Sequence, residues 1–210
     1  MNLKSRSTIL FIGDSVTDCG RNEHAYGLLG NGYVNFVGNW LYAKYMELDL
    51  NVINKGISGN TVRDIKGRWQ SDCINVKPDL LSILIGINDV WRRHREPERI
   101  KESVAPEEYQ TTYRQILDEA VEKIECKIVL IEPFMFCNDI NNPMFKDLQT
   151  YISIVRNLAK EFNALLIPMQ DLLSIEMKKV HPNKWAGDMV HPYTWSHAWI
   201  AQRWLEYSQF

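Results

Sequence analysis

The sequence predicts an α/β protein: a three-layer αβα sandwich around a central five-stranded parallel sheet. Three observations predict it. Short apolar runs recur five times, bounded by proline, glycine or polar residues. Between them lie longer stretches whose apolar residues return at spacings of three and four. That alternation marks βαβ units, in which a helix carries the chain back to a parallel strand. A chain of 210 residues also suffices for one domain with a sizeable core. No repeat, low-complexity tract or linker rich in Pro, Gly or Ser divides it, so residues 1–210 are read as a single domain.

Taken in order, Thr8–Ile12 is a first buried strand and Leu50–Asn54 a second, weaker and partly alternating. Leu80–Ile85 is the strongest, set off by Pro78 before it and Gly86 after it. Lys127–Ile131 is the fourth, ended near Pro133, and Ala164–Ile167 the fifth, before Pro168. Pro106 stands where a first-turn proline belongs, and Glu107 and Glu108 suit the positive end of a helix. Tyr109, Tyr113, Ile116, Ala120 and Ile124 then carry the helical period. Leu148 to Phe162 repeats it, and His197 to Leu205 forms a terminal helix. Trp91 to Ala105, irregular and charged, is expected to be a surface loop.

Net charge is −2, so nothing favours nucleic acid or an anionic membrane, both of which ask for a basic patch. No apolar stretch approaches a membrane span, and Thr8–Ile12 is far too short for a signal segment. A cytoplasmic protein is expected. Cys19, Cys73, Cys126 and Cys137 lack metal-ligand spacing and are read as free thiols.

In an open parallel sheet, ligands bind beyond the carboxyl ends of the strands. Four such places carry unusual residues. Gly13-Asp14-Ser15 puts a hydroxyl after the first strand, where a helix start would favour developing negative charge; Ser and Asp are equally ordinary helix caps. Asn54 to Thr61 holds Gly56 and Gly59, of which Gly59 can offer its N–H to an oxyanion, though Asn60 or Thr61 can simply cap a helix. Gly86-Ile87-Asn88-Asp89 follows the strongest strand, and the Asn88 amide is a second donor, while Asn and Asp are also common turn formers. In Asp188-Met189-Val190-His191 the carboxylate can fold back onto the imidazole Nδ1, fixing the tautomer and leaving Nε2 as a base. Each block alone is weak; their order along one sheet edge is not.

Together these residues resemble the SGNH hydrolases, also called the GDSL esterases, whose four blocks are named for the residue types found here as Ser15, Gly59, Asn88 and His191. The resemblance implies a flavodoxin-like SGNH hydrolase fold and a serine esterase with no metal or organic cofactor. It implies Ser15 as nucleophile, His191 as base, Asp188 as its partner, and an oxyanion hole from Ser15, Gly59 and Asn88. Longer strings, Gly13 to Arg21, Asn54 to Asp64 and Ile85 to Arg92, are similar to a subgroup of bacillar intracellular acetylxylan esterases. Met189 and Ser196 depart from that subgroup, which tends to carry Arg and Gly there.

The expected substrate is thus a small ester, an acetylated sugar such as a xylo-oligosaccharide, and the subgroup implies a homo-oligomer. Asp14, Trp91, Arg92 and Trp185 flank the blocks and are expected to contact substrate. Rival readings are a lysophospholipase or thioesterase for longer acyl chains and a non-catalytic carbohydrate-binding protein. A nucleotide-binding protein would need a phosphate-binding glycine loop, which is missing, and a metallohydrolase would need clustered histidines.

Overall fold

Period two sends successive side chains of a strand to opposite faces, and apolar residues at both parities demand cover on both sides. In the computed structural model, which describes residues 3–21 and 23–210, this is the outcome. Strands β1 (Thr8–Gly13), β2 (Asn51–Gly56), β3 (Leu80–Leu84), β4 (Lys127–Ile131) and β5 (Leu165–Ile167) form one sheet ordered β2-β1-β3-β4-β5. Every pairing is parallel, with Ile9 opposite both Val52 and Leu80. Among the described residues eight α-helices accompany the strands: α1 (Ser15–Asp18), α2 (Tyr33–Lys44), α3 (Val62–Gly67), α4 (Ile87–Arg95), α5 (Pro106–Lys123), α6 (Pro143–Glu161), α7 (Met169–Glu176) and α8 (Thr194–Tyr207).

Leu10, Ile12, Leu81, Ile83, Ile128 and Leu130 point to the face covered by α3, α4, α5 and α6. Ile9, Phe11, Leu80, Leu84, Val129 and Ile131 point to the face covered by α2, α7 and α8. The predicted three layers and five strands are therefore the observed ones. Ser82 is an exception to the apolar pattern of β3, fully buried, and Trp204 Nε1 on α8 donates to its Oγ at 3.0 Å. Left without that partner, a buried hydroxyl would cost about 1–3 kcal/mol.

Helix ends differ from expectation where caps outran the apolar period. α6 begins at Pro143, well ahead of Leu148, because Asn142 caps it by accepting the Phe145 N–H at 3.1 Å. α8 also begins early, at Thr194 rather than His197, though Tyr193 before it makes no side-chain cap. α2 and α7 are helices that the sequence pattern does not predict. The larger correction is Trp91–Ala105, expected as a loop. Its first part continues α4, whose Ile87 and Val90 face the core, and Pro97–Glu102 forms a 3-10 turn. Arg93 and Arg95 lie on the outer side of the last turn, where cations suit the helix dipole. Charge marked the outward face of a helix there, not a loop.

The order 2-1-3-4-5 has its switch point between β1 and β3, where crossovers leave in opposite directions and open a crevice. The segments after β1, β2 and β3 all arrive there.

Candidate active site

β1 ends at Gly13 and the chain turns at once into α1. Asp14 is the N-cap, its Oδ1 accepting the Val16 N–H at 3.0 Å, so the capping reading of this residue is the structural fact. Burial pushes its carboxyl up to about 7, against the Val16 hydrogen bond and the nearby His191. Only 1% exposed, Asp14 caps the helix that Ser15 opens and is too enclosed for the expected substrate contact. Ser15 itself opens α1, half-buried, with its Oγ free to face outward.

What Oγ faces is His191. Nε2 lies 3.0 Å from Ser15 Oγ, and Nδ1 lies 2.5 Å from Asp188 Oδ2. Local folding explains the second contact. Ala186 and Pro192 form an antiparallel bridge, and Met189 takes a left-handed φ of 70°, so the residues between double back. Asp188 Oδ1 then accepts the N–H groups of Val190 and His191 at 2.9 and 2.8 Å. Partial burial raises the Asp188 carboxyl, but the imidazole and those two N–H groups outweigh it and hold it below the usual carboxylate value. An ionised carboxylate on Nδ1 keeps the proton there and leaves Nε2 as acceptor toward Ser15.

The opposite side of the site comes from β2 and β3. Gly56 packs on α1 so closely that a Cβ would lie 2.1 Å from the Asp18 nitrogen, which only glycine permits. Asp18 Oδ2 accepts from the N–H and hydroxyl of Ser58 at 2.9 and 2.7 Å, tying the loop to the same helix. Thr61 caps α3 through a capping box with Asp64. Asn88, in the first turn of α4, donates from Nδ2 to the Asn60 carbonyl at 3.0 Å, which leaves its second amide hydrogen available. Asp89 is fully buried and accepts the Val62 N–H at 3.1 Å; burial raises its carboxyl to about 7.

Ser15, Gly59, Asn88 and His191 line one cleft of about 560 Å³. Trp91 and Glu96 form part of its wall, with Trp91 Nε1 donating to Glu96 at 3.2 Å. The other two expected substrate contacts lie elsewhere. Arg92 is 4% exposed and turned behind the cleft, where its guanidinium donates to the Gly59 carbonyl and meets Glu96 and Glu102. Trp185 is 2% exposed in the core, close to Phe136 and Trp199, its Nε1 donating to the Val180 carbonyl at 3.1 Å. An indole so enclosed offers no face to a sugar.

Cys19, Gly20, Glu23, Tyr26 and Asn31 also line the cleft, and beyond the Gly13 to Arg21 string no motif in the sequence points to Glu23, Tyr26 or Asn31. His197 joins them from α8. Its Nδ1 accepts the Tyr33 N–H at 3.2 Å, its Nε2 is 3.4 Å from Cys19 Sγ, and burial drives its pKa down to about 4. It is thus a neutral wall residue.

A hydroxyl whose proton has an imidazole to receive it, beside amide donors at a parallel sheet's edge, is the working arrangement of a serine hydrolase. Comparison with known proteins narrows that class. Residues 11–198 match the GDSL-like lipase/acylhydrolase family, and the chain belongs to it. It is 41% identical over 209 residues, 98% of this chain and 95% of the relative, to an acetylxylan esterase of Geobacillus stearothermophilus. The crystal structure of Axe2, an acetylxylan esterase from Geobacillus stearothermophilus, superposes with a TM-score of 0.93 at 40% identity, covering 100% of this chain and 97% of the other. Solved variants of Axe2 described as catalytic mutants alter a serine, an aspartate and a histidine. LAE5, an alpha/beta hydrolase enzyme from the metagenome of Lake Arreo, matches at TM-score 0.91 and 32% identity, covering 99% and 97% of the two chains. Among the described residues no helix is long and apolar enough to cross a membrane.

Proposed function

We propose that this esterase removes acetyl groups from xylo-oligosaccharides, with Ser15, His191 and Asp188 as its catalytic residues. The observation that carries the reading is the unbroken hydrogen-bonded series from Ser15 Oγ through His191 to Asp188. Ser15 Oγ attacks the ester carbonyl as His191 Nε2 takes its proton, and Asp188 stabilises the imidazolium that results. The oxyanion lies among the N–H groups of Ser15 and Gly59 and the Asn88 amide. His191 then protonates the leaving sugar hydroxyl. Water, activated by the same imidazole, releases acetate and restores Ser15.

The sugar is read as lying along the wall of Trp91, whose indole stays part-exposed in the cleft. The four cysteines, all free, fit a reducing cytoplasm. A homo-oligomer would use exposed aromatics such as Trp40, Tyr42 and Trp195, each more than a third exposed in the single chain.

Acetate release from acetylated xylo-oligosaccharides, acetylated amino sugars and nitrophenyl esters of rising chain length tests the substrate. An acetyl optimum with preference for the xylo-oligosaccharides is expected; an octanoyl optimum would move the enzyme to long-chain acyl substrates. Ser15→Ala should lose at least about 10⁴ in kcat and all labelling by a fluorophosphonate. Retained turnover would remove Ser15 as nucleophile. Light scattering on the purified chain settles the assembly, and a monomer at micromolar concentration would refute the oligomer.

A further inference from the structure

The N–H assigned above to the oxyanion belongs to the peptide joining Ser58 to Gly59, and glycine leaves such a peptide free to turn. Gly59 sits at φ +80° with open space in front of it: a Cβ there would meet only Arg92 Nη2, at 3.5 Å. Packing therefore does not hold the residue. Hydrogen bonds to its two sides do. Asp18 grips Ser58 through both its N–H and its hydroxyl. Arg92 Nη2 donates to the Gly59 carbonyl.

Arg92 is built for that position. It is 4% exposed, and its Nη1 reaches Glu96 and Glu102 at 3.2 Å each, so the buried cation is neutralised where it stands. It projects from α4 one turn after Asn88, the side-chain donor assigned to the oxyanion. Asn88 holds the Asn60 carbonyl and Asp89 holds the Val62 N–H. Residues 88, 89 and 92 of one helix thus hold the loop at residues 60, 62 and 59.

We infer that Arg92 is a positioning residue for ester hydrolysis, locking the Gly59 peptide so that its N–H and the Asn88 amide meet the oxyanion together. It acts through the loop and touches no substrate. The inference rests on the oxyanion reading under Proposed function. A lysine is a poor substitute, because a compact ammonium cannot hold a carbonyl and two carboxylates in one planar fork.

The test is kcat and KM on p-nitrophenyl acetate for Arg92→Ala and Arg92→Lys, normalised to sites titrated with a fluorophosphonate. Misplacing one donor should cost somewhat less than removing it, so kcat is expected to fall by about 10–10² in Arg92→Ala with KM within about twofold. Low-millimolar guanidinium should restore part of that loss in Arg92→Ala and none in Asn88→Ala. Should Arg92→Ala fail to fold, Arg92→Lys keeps the charge opposite Glu96 and Glu102 and carries the same kcat test. Unchanged kcat per titrated site in the folded variants overturns the assignment, as does a loss confined to KM, which would make Arg92 a substrate contact. Ser15→Ala run in parallel separates the two levels: if it is inactive while the Arg92 variants are normal, only the positioning role falls.

Discussion

The two sides of the cleft are built by different means. Asp188 and His191 stand three residues apart in one loop, their side chains 45% and 54% exposed, and the bonds that orient Asp188 come from residues 190 and 191. Ser15, Gly59 and Asn88 come from three separate segments, supported by Asp14, Arg92 and Asp89, of which none is more than 4% exposed. The difference follows from what must be held. An imidazole presents a side chain that one neighbouring carboxylate can orient, even in partial contact with water. A backbone N–H has no such handle, so its peptide must be gripped through flanking groups, and those grips keep their strength only when shielded from solvent.

The largest effect that could break this comparison is at Asp188. Asp188→Asn should cost about 10³–10⁴ in kcat by permitting the wrong imidazole tautomer. A loss below about tenfold would mean that another group orients His191. Next is Trp185, the buried foundation of the exposed side: its carbonyl accepts the Tyr193 N–H at 2.9 Å and the Ser196 hydroxyl at 2.8 Å. Trp185→Ala should destabilise the fold by about 3–5 kcal/mol through the cavity it leaves, read by urea denaturation. KM for acetylated sugars should not change; a raised KM with normal stability would restore Trp185 as a sugar platform.

On the buried side, Asn88→Ala should lower kcat by about 10²–10³ at nearly constant KM, measured by steady-state kinetics. The smallest effect sharpens the role of burial. The Asp89 carboxyl is raised to about 7 from 3.8, so between those pH values the native state binds more protons than the unfolded chain. Stability contributed by this group therefore falls as pH rises through that window. Asp89→Asn removes the titration, and its melting temperature relative to the parent should improve by several degrees from pH 4 to pH 8. A constant difference across pH would show that Asp89 is not the titrating group.

Most of the scaffold was legible before folding. The five strands were visible because buried parallel strands need unbroken apolar runs, and β1 to β5 lie within two residues of their predicted ends. The proton-handling side was legible too, since Asp188 and His191 are close in sequence and local geometry suffices to join them. The failures fall on residues whose role depends on what packs over them. Trp185, Arg92 and Asp14 flank reactive blocks in the sequence, yet the fold turns each inward. Glu23, Tyr26 and Asn31 reach the cleft from the stretch before α2, and His197 reaches it from α8, which packs against α2 on one face of the sheet.

By itself, the order of residues determined the layered parallel architecture, the succession of four polar blocks at strand ends and the Asp188–His191 pair, because period and short spacing are local properties of a chain. Only the tertiary structure decided which flanking side chains face the cleft and which support it from behind. Ser15 meets His191 across 176 residues and Arg92 meets Gly59 across 33, and contacts that distant exist only once the helices have packed on the sheet.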